Sequence, residues 1–161
     1  KRPRLQESVL ANPFVFLPYT VKEGEKPEEI AFYYYGSTDY TWLIFLANNI
    51  IDPLYDWPMT QDSLEKYIIS NYAETANTTG TSVLDWSRNT LITDNILFYE
   101  NAEGDRISSE SAVLDPEFVS SEWTAIRVYD YEFTRNEEKR HIRMVDSRYA
   151  DQMQKELINA I

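Results

Sequence analysis

The sequence contains no cysteine and only one histidine, His141. Without cysteine, the chain cannot form a disulfide bond, a thiolate metal site or a cysteine nucleophile. A single histidine cannot build the usual metal site of several imidazoles, and no serine lies in the Gly-x-Ser-x-Gly pattern of a serine hydrolase. His141 lies close to Arg140 and Arg143 in a strand-like stretch, so we interpret it as structural or exposed. The composition therefore predicts no metal site of the usual histidine or cysteine kind.

The sequence also lacks a long apolar run and an excess of positive charge. No run approaches the roughly 20 apolar residues that cross a bilayer, so we predict no membrane partner. Acidic residues outnumber basic ones by 27 to 15, and the net charge of -12 repels a phosphate backbone. Basic residues gather at Lys1, Arg2 and Arg4, and again from Arg135 to Arg148, where interleaved acids are typical of a salt-bridged or solvated face. We predict no nucleic-acid partner.

Aromatic residues, in contrast, are abundant. Apolar residues make up 43% of the chain and aromatic residues 14%, with twelve tyrosines and four tryptophans. This composition excludes a disordered chain. Tyrosine-rich surfaces are partly apolar and partly hydrogen-bonding, which is typical of core edges and of protein interfaces.

The order of the patterns predicts an α+β fold built on a small strand-helix-helix-strand module. We predict a strand over Tyr19–Gly24, a helix from Pro27 to Gly36, a second helix from Ser37 or Thr38, and a second strand in Ile50–Trp57. A further helix opens at Thr60. The predicted domains are an N-terminal arm at 1–17, the module and its following helix at 18–72, an insertion with a β-hairpin at 73–121, and C-terminal strands with a terminal helix at 122–161.

The second half of the chain has weaker patterns. We predict a loop at 73–88, a hairpin with Ile96–Tyr99 as one arm, and irregular structure at 108–121. Alternation then predicts a strand from Ile126 to Phe133 and another over 141–145. Asp146 or Ser147 can cap a terminal helix whose apolar face consists of Tyr149, Met153 and Leu157.

Catalysis by paired carboxylates is a possible but weakly supported alternative. Glu29 and Asp52 flank the two predicted helices and are the pair that a muramidase-like enzyme would use. Nothing in the sequence sets their separation or raises the pKa of either group. We therefore predict that the chain is not an enzyme.

The stretch YTVKEGEKPEEIAFYYYGSTDYTWLIFLANNIIDP resembles a LysM module. This resemblance implies a groove for N-acetylglucosamine polymers between the loops Gly24–Pro27 and Asn49–Pro53, with Gly24, Lys26, Asn49 and Asp52 as its residues. Pro27 removes a backbone donor and Lys26 is bulky, which disfavours saccharide binding. The groove is therefore interpreted as vestigial, and peptidoglycan binding remains the alternative function.

Two stretches together resemble a more specific family, the baseplate wedge protein 53 of contractile phage tails. They are PEEIAFYYYGSTDYTWLIFLANNIIDPLYDW, within the module and with DPLYDW as its most diagnostic part, and YDYEFTRNEEKRHIRMVDSRYADQMQKEL, near the end of the chain. The resemblance implies a structural virion protein without catalysis or cofactor, assembled in the bacterial host cytoplasm and present in six copies. It would join adjacent wedges around the hub, with other wedge subunits and the sheath-initiator protein as partners.

Within this interpretation, we predict that partner contacts come from apolar and basic side chains outside the small core. The candidate partner-binding residues are Phe14, Phe16, Tyr55, Trp57, Arg140, Arg143, Tyr149, Met153 and Leu157.

Overall fold

The two ends of the chain form one compact unit, and the middle of the chain forms another. A computed structural model describes residues 14–160, with side chains described up to residue 155. The first unit combines the chain up to Thr60 with the chain from Glu137 onward, and the second unit is Gln61–Asn136. The predicted residues of the N-terminal arm before Phe14, and the side chain of Leu157, lie outside this description.

The fold class is α+β, as predicted. The strands are β1 Phe16–Thr20, β2 Ile96–Glu100, β3 Arg106–Ser108, β4 Thr124–Arg127 and β5 His141–Val145. The α-helices are α1 Pro27–Tyr35, α2 Thr41–Ala47, α3 Pro53–Asp56, α4 Gln61–Tyr72, α5 Ser82–Arg88, α6 Ser109–Leu114, α7 Val128–Glu138 and α8 Ser147–Ala160. Short 3₁₀ helices cover Thr38–Tyr40 and Ser120–Glu122.

The sheet of the first unit pairs strands from opposite ends of the chain. Strands β1 and β5 are antiparallel, with Phe16 opposite Val145 and Thr20 opposite His141. Pro18 lies opposite Arg143, whose backbone N–H and C=O bond to the side chain of Asn48 and so point away from β1. In an antiparallel pair, the backbone groups of two directly opposite residues either both point toward the partner strand or both point away from it. The nitrogen of Pro18 therefore points away from β5, and its missing N–H costs no hydrogen bond between the strands.

Helix α1 begins and ends where the sequence predicts. Pro27 occupies its first turn, and the carboxylate of Glu29 accepts a hydrogen bond from the Lys26 N–H at 3.1 Å. Gly36 ends the helix with a φ of 85°, a left-handed conformation that glycine adopts without strain. The buried residues of the helix are Pro27, Ile30 and Ala31, whereas Tyr33 is exposed.

Helices α1 and α2 close two adjoining apolar clusters over the β1–β5 sheet. Ile44 of α2 lies in the first cluster, and Leu43 and Ala47 lie in the second. The buried members of the first are Val21, Ile30, Ala31, Ile44, Ile50, Trp57, Ile142 and Met144. Those of the second are Val15, Leu43, Ala47, Val145 and Ala150.

The second strand predicted in Ile50–Trp57 is wrong. Pro53–Asp56 forms a short helix, with Pro53 in its first turn and the Asp52 carboxylate accepting from the Leu54 N–H. The strand that closes the strand-helix-helix-strand arrangement is β5 instead, and it comes from the far end of the chain.

The second unit contains a three-stranded antiparallel sheet in the order β3-β2-β4. The predicted hairpin is confirmed, since Phe98–Glu100 pairs with Arg106–Ser108 and Gly104 lies in the turn with a φ of 88°. Helix α4 buries Leu64 and Ile68.

Three predictions for the second unit are wrong. The loop predicted at 73–88 contains α5, which buries Val83 and Leu84, and the irregular stretch at 108–121 contains α6. The strand predicted through Phe133 ends at Arg127, where α7 begins at once. The buried positions of α7 are Val128, Glu132 and Asn136, so its inner face is partly polar and apolar periodicity does not reveal it.

Candidate partner-binding surfaces

The segment Ile51–Asp56, here called the apolar turn, has a backbone held by its own aspartates. The Asp56 carboxylate accepts hydrogen bonds from the N–H groups of Ile51 at 2.8 Å and Asp52 at 2.9 Å. The Asp52 carboxylate accepts from the Leu54 N–H at 3.0 Å, and the Lys139 ammonium donates to the Tyr55 carbonyl at 2.6 Å. The bond to Leu54 caps the start of α3, the two bonds to Asp56 hold the residues that precede the helix, and Lys139 satisfies a carbonyl near its end.

The apolar turn presents large side chains to solvent. The exposed fractions are 67% for Ile51, 71% for Leu54 and 53% for Tyr55. Neighbouring apolar groups on a fixed backbone lose little conformational entropy when a partner covers them. The turn is therefore well suited to protein binding.

Trp57 anchors this turn to the core. It is 9% exposed, lies in the first apolar cluster, and its indole Nε1 donates to the Glu25 carbonyl at 2.9 Å. Its role in any interface is therefore to hold Tyr55 and its neighbours in place, since its own surface is already covered.

The predicted arginines are bonded within the first unit. Arg140 is largely buried and pairs with Glu137 at 2.7 Å and with Glu23. Arg143 is more exposed, lies over the ring of Phe16 at 4.9 Å and donates to the Ala47 carbonyl at 3.0 Å. Both guanidinium groups therefore stabilise the packing of β1 and β5 against their neighbours.

The other predicted contact residues divide between packing and exposure. Phe16, Tyr149 and Met153 are half-buried against the second apolar cluster, while Phe14 is 78% exposed. The face of α8 that the sequence indicated therefore packs on the unit's own core at Tyr149 and Met153. As partner-binding residues, the whole set stays a prediction.

One residue of the predicted glycan groove, Asn49, lines a pocket in the first unit. A pocket of about 280 Å³ is lined by Asn48, Asn49, Ile50, Asp56, Lys139, His141 and Ile142. Of the predicted groove residues, only Asn49 belongs to it. Gly24 has a φ of 72°, Lys26 precedes the first turn of α1, and the Asp52 carboxylate caps α3.

The carboxylates of the weak enzyme alternative both serve as helix caps. Glu29 accepts from the Lys26 backbone, and Asp52 accepts from the Leu54 backbone. The part of the chain that the structure describes holds no group of three or more acidic or imidazole side chains placed to bind a metal ion. Within the same residues, no helix is long and apolar enough to cross a bilayer.

The sequence did not predict two of the exposed apolar surfaces. The first is the pair Ile51 and Leu54, which was assigned to a strand. The second is the segment 110–122, where Val113 is 86%, Leu114 82% and Val119 47% exposed. The dipeptide Asp52-Pro53, a capping residue followed by a first-turn proline, was the available signal for the first surface.

The comparison with known families decides what kind of protein presents these surfaces. One family model, described as base plate wedge protein 53, matches residues 6–159, which is nearly the whole chain. The chain belongs to the base plate wedge protein 53 family. No curated protein matches it.

Membership of the base plate wedge protein 53 family sets the coarse function. The family is one of structural phage baseplate proteins, so the protein has its place in the tail baseplate of the virion. It acts there through contacts with other baseplate components.

Proposed function

We propose that this wedge protein joins adjacent wedges around the hub of a contractile tail. Six copies would each contact other wedge subunits, neighbouring wedges and the sheath-initiator protein, after assembly in the host cytoplasm. The observation that carries the proposal is the family match over residues 6–159. The apolar turn supports it, because a joining protein needs exposed anchors whose position does not depend on the partner.

The apolar turn is the joint that we propose. Ile51, Leu54 and Tyr55 are mostly exposed, and their backbone is already fixed by Asp52, Asp56 and Lys139. Burial of one such side chain stabilises a complex by roughly 1.5–3 kcal/mol. A small number of anchors of this kind accounts for most of the binding energy of a typical protein interface.

The experiment is co-expression with the other wedge proteins of the same phage, followed by mass measurement of the purified complex. The wild-type chain is expected in a stoichiometric complex. The double substitution Ile51→Asp and Leu54→Asp should leave the chain folded and remove it from the complex, because a partner would have to bury two new charges.

A matched control uses Leu91, which is 92% exposed and lies in the second unit. Leu91→Asp adds a charge to a side chain that is even more exposed, and it should leave the complex intact. A chain that never joins wedge proteins would count against the proposed function. If the complex still forms with both aspartates in place, the apolar turn is not the contact through which the protein joins it.

A second candidate, LysM-type peptidoglycan binding, has one observation in its favour. The pocket that contains Asn49 is also lined by the polar side chains of Asn48, Lys139 and His141, which can hydrogen-bond to sugar hydroxyls. Sedimentation with insoluble cell wall tests it, with the variant His141→Ala as the comparison. If the chain stays in the supernatant, this candidate is excluded.

A further inference from the structure

The negative charge of this protein is concentrated in its second unit. Residues 61–136 contain fourteen acidic and five basic residues, so this unit carries most of the net charge of -12. Within it, the stretch 94–122 has eight acidic residues and one basic residue, Arg106. Since Arg106 pairs with Glu100 at 2.6 Å, it leaves the other acids of this stretch uncompensated.

The other basic side chains of the unit are also bonded elsewhere. Lys66, Arg88 and Arg135 pair with acids of α4 or α7, and Arg127 donates to the carbonyls of Asn89 and Thr90. Among the residues that the structure describes, no ion pair reaches the carboxylates of the segment 110–122. These carboxylates are Glu110, Asp115, Glu117 and Glu122, and all four residues are exposed.

The same segment exposes apolar side chains on a fixed backbone. Two of them, Val113 and Leu114, are mostly exposed, and Val119 is about half exposed. The loop that follows α6 is held by Phe118, whose ring packs at 5.0 Å on Tyr99 and at 6.0 Å on Trp123. The side chains of Val113, Leu114 and Val119, here called the apolar strip, lie in the sequence among the four carboxylates of the segment. Such a combination is complementary to a chain segment that is both basic and apolar.

The protein's own sequence contains such a segment. Residues 1–13, which lie outside the structural description, carry three basic residues and one acidic residue, and their apolar side chains include Leu5, Val9 and Leu10. An extended segment of this length reaches up to roughly 45 Å. The opposite charges of these two regions are the reason to pair them.

We propose that residues 1–13 of one copy bind the segment 110–122 of a neighbouring copy. This inference rests on the proposed function, because several copies side by side raise the local concentration of one segment near the next copy. The lysine and arginines would face the four carboxylates, and the leucines and valine would cover the apolar strip. A copy-to-copy contact of this kind would tie adjacent wedges together.

The first test is an NMR titration. A synthetic peptide of residues 1–13 is added to the isotope-labelled full chain, whose own segment carries Lys1→Glu, Arg2→Glu and Arg4→Glu and so does not compete. Amide shifts are expected in 110–122 and should weaken as salt rises from about 50 to about 300 mM. The opposite result, no shift at millimolar peptide, overturns the inference.

Two charge-reversed variants separate a specific contact from general attraction. The triple Glu110→Lys, Asp115→Lys and Glu117→Lys should weaken peptide binding about tenfold or more. The control triple Glu74→Lys, Asp85→Lys and Asp130→Lys makes the same charge change on exposed residues elsewhere in the unit. If both triples weaken binding equally, the peptide recognises only net charge and the inference fails.

The second test decides whether the segment comes from the same copy or another. A photo-reactive amino acid replaces Leu5 in a mixture of light and heavy full-length chains, and cross-linked peptides are read by mass spectrometry. Mixed-isotope links to 110–122 are expected. Links within one copy only, or to other regions, would contradict the inference, while co-assembly with wedge proteins would still support the proposed function.

Discussion

Asn48 shows how one side chain can protect a strand. Its amide donates to the Arg143 carbonyl at 2.8 Å and accepts from the Arg143 N–H at 2.7 Å, on the side of β5 that faces away from β1. The Tyr35 hydroxyl donates to the Val145 carbonyl further along the same edge. An unpaired strand edge is a template for wrong pairing, and here side chains of the helical layer cover it.

We expect Asn48→Ala to lower the free energy of unfolding by about 1–3 kcal/mol, because it leaves both backbone groups of Arg143 without a partner. Asn48→Asp should be at least as destabilising, since its carboxylate faces the Arg143 carbonyl and cannot donate. Urea denaturation measures both. An exposed asparagine, Asn71, provides the control as Asn71→Ala, and an unchanged midpoint for the Asn48 variants would contradict the prediction.

A second residue makes the fold sensitive to acid. Asp146 accepts hydrogen bonds from the Arg148 guanidinium at 2.8 and 3.0 Å and from the Arg148 N–H at 2.9 Å. These bonds lower the pKa of Asp146 from 3.8 to about 2. Because the folded-state pKa is lowered, the stabilisation is present above the unfolded-state pKa and is lost as the pH falls through the folded-state pKa.

We therefore expect part of the loss of stability between about pH 4 and pH 2 to depend on this pair. Asp146→Asn should flatten the change in urea midpoint across that window. Arg148→Gln removes the cause of the pKa shift and should likewise reduce the change in urea midpoint over this pH range. If the urea midpoint of both variants depends on pH as strongly as that of the wild type, other carboxylates dominate acid unfolding.

At the scale of elements, the first unit depends on a strand from the far end of the chain. Ile142, Met144 and Val145 of β5 are all buried, and they contribute to both apolar clusters of this unit. Without them, α1 and α2 would leave one side of the apolar core open to water. The pairing of β1 with β5 is therefore a condition for the two helices to fold.

This dependence predicts that a fragment of residues 14–60 is unfolded alone. Co-expression with a second fragment, residues 137–161, should restore dispersed NMR signals, because it supplies β5 and α8. A second fragment with Met144→Asp should fail, since it places a charge in the first cluster. A folded 14–60 fragment would disprove the dependence.

Sequence reasoning succeeded where the signal is local. The proline and glycine that bound α1, the hairpin turn at Gly104, the alternation of 141–145 and the aspartate before α8 are all signals of a few residues. Each constrains the backbone directly, through a fixed φ, a positive φ or a cap.

Sequence reasoning failed where distant residues decide. The buried face of α7 includes Glu132, whose carboxylate accepts from the Tyr72 hydroxyl at 2.7 Å, a partner 60 residues away. Apolar periodicity cannot reveal a helix whose inner face is polar. Among the candidate partner-binding residues, the packing of Phe16 and Met153 depends on neighbours that are distant in sequence, so the sequence alone does not predict it. The helix cap at Asp52, in contrast, is a local signal, and it was misinterpreted as part of a strand.

At the scale of the whole molecule, the two exposed apolar surfaces belong to units that differ in net charge. The apolar turn lies in the first unit, beside Lys139, and the segment 110–122 lies in the strongly acidic second unit. Partners of different chemistry are therefore expected at the two surfaces. Association of the acidic units with each other is disfavoured, because like charges repel.

This arrangement predicts that assembly and folding can be separated by substitution. Leu54→Asp changes an exposed side chain, so it should alter the free energy of unfolding by no more than about 0.5 kcal/mol while it disrupts the wedge complex. Trp57→Ala, three residues away, should cost about 3–5 kcal/mol, because it empties a core position and removes the bond to Glu25. Urea denaturation and the mass of the co-expressed complex measure the two effects. If Leu54→Asp unfolds the chain, the apolar turn belongs to the core and is not a docking surface.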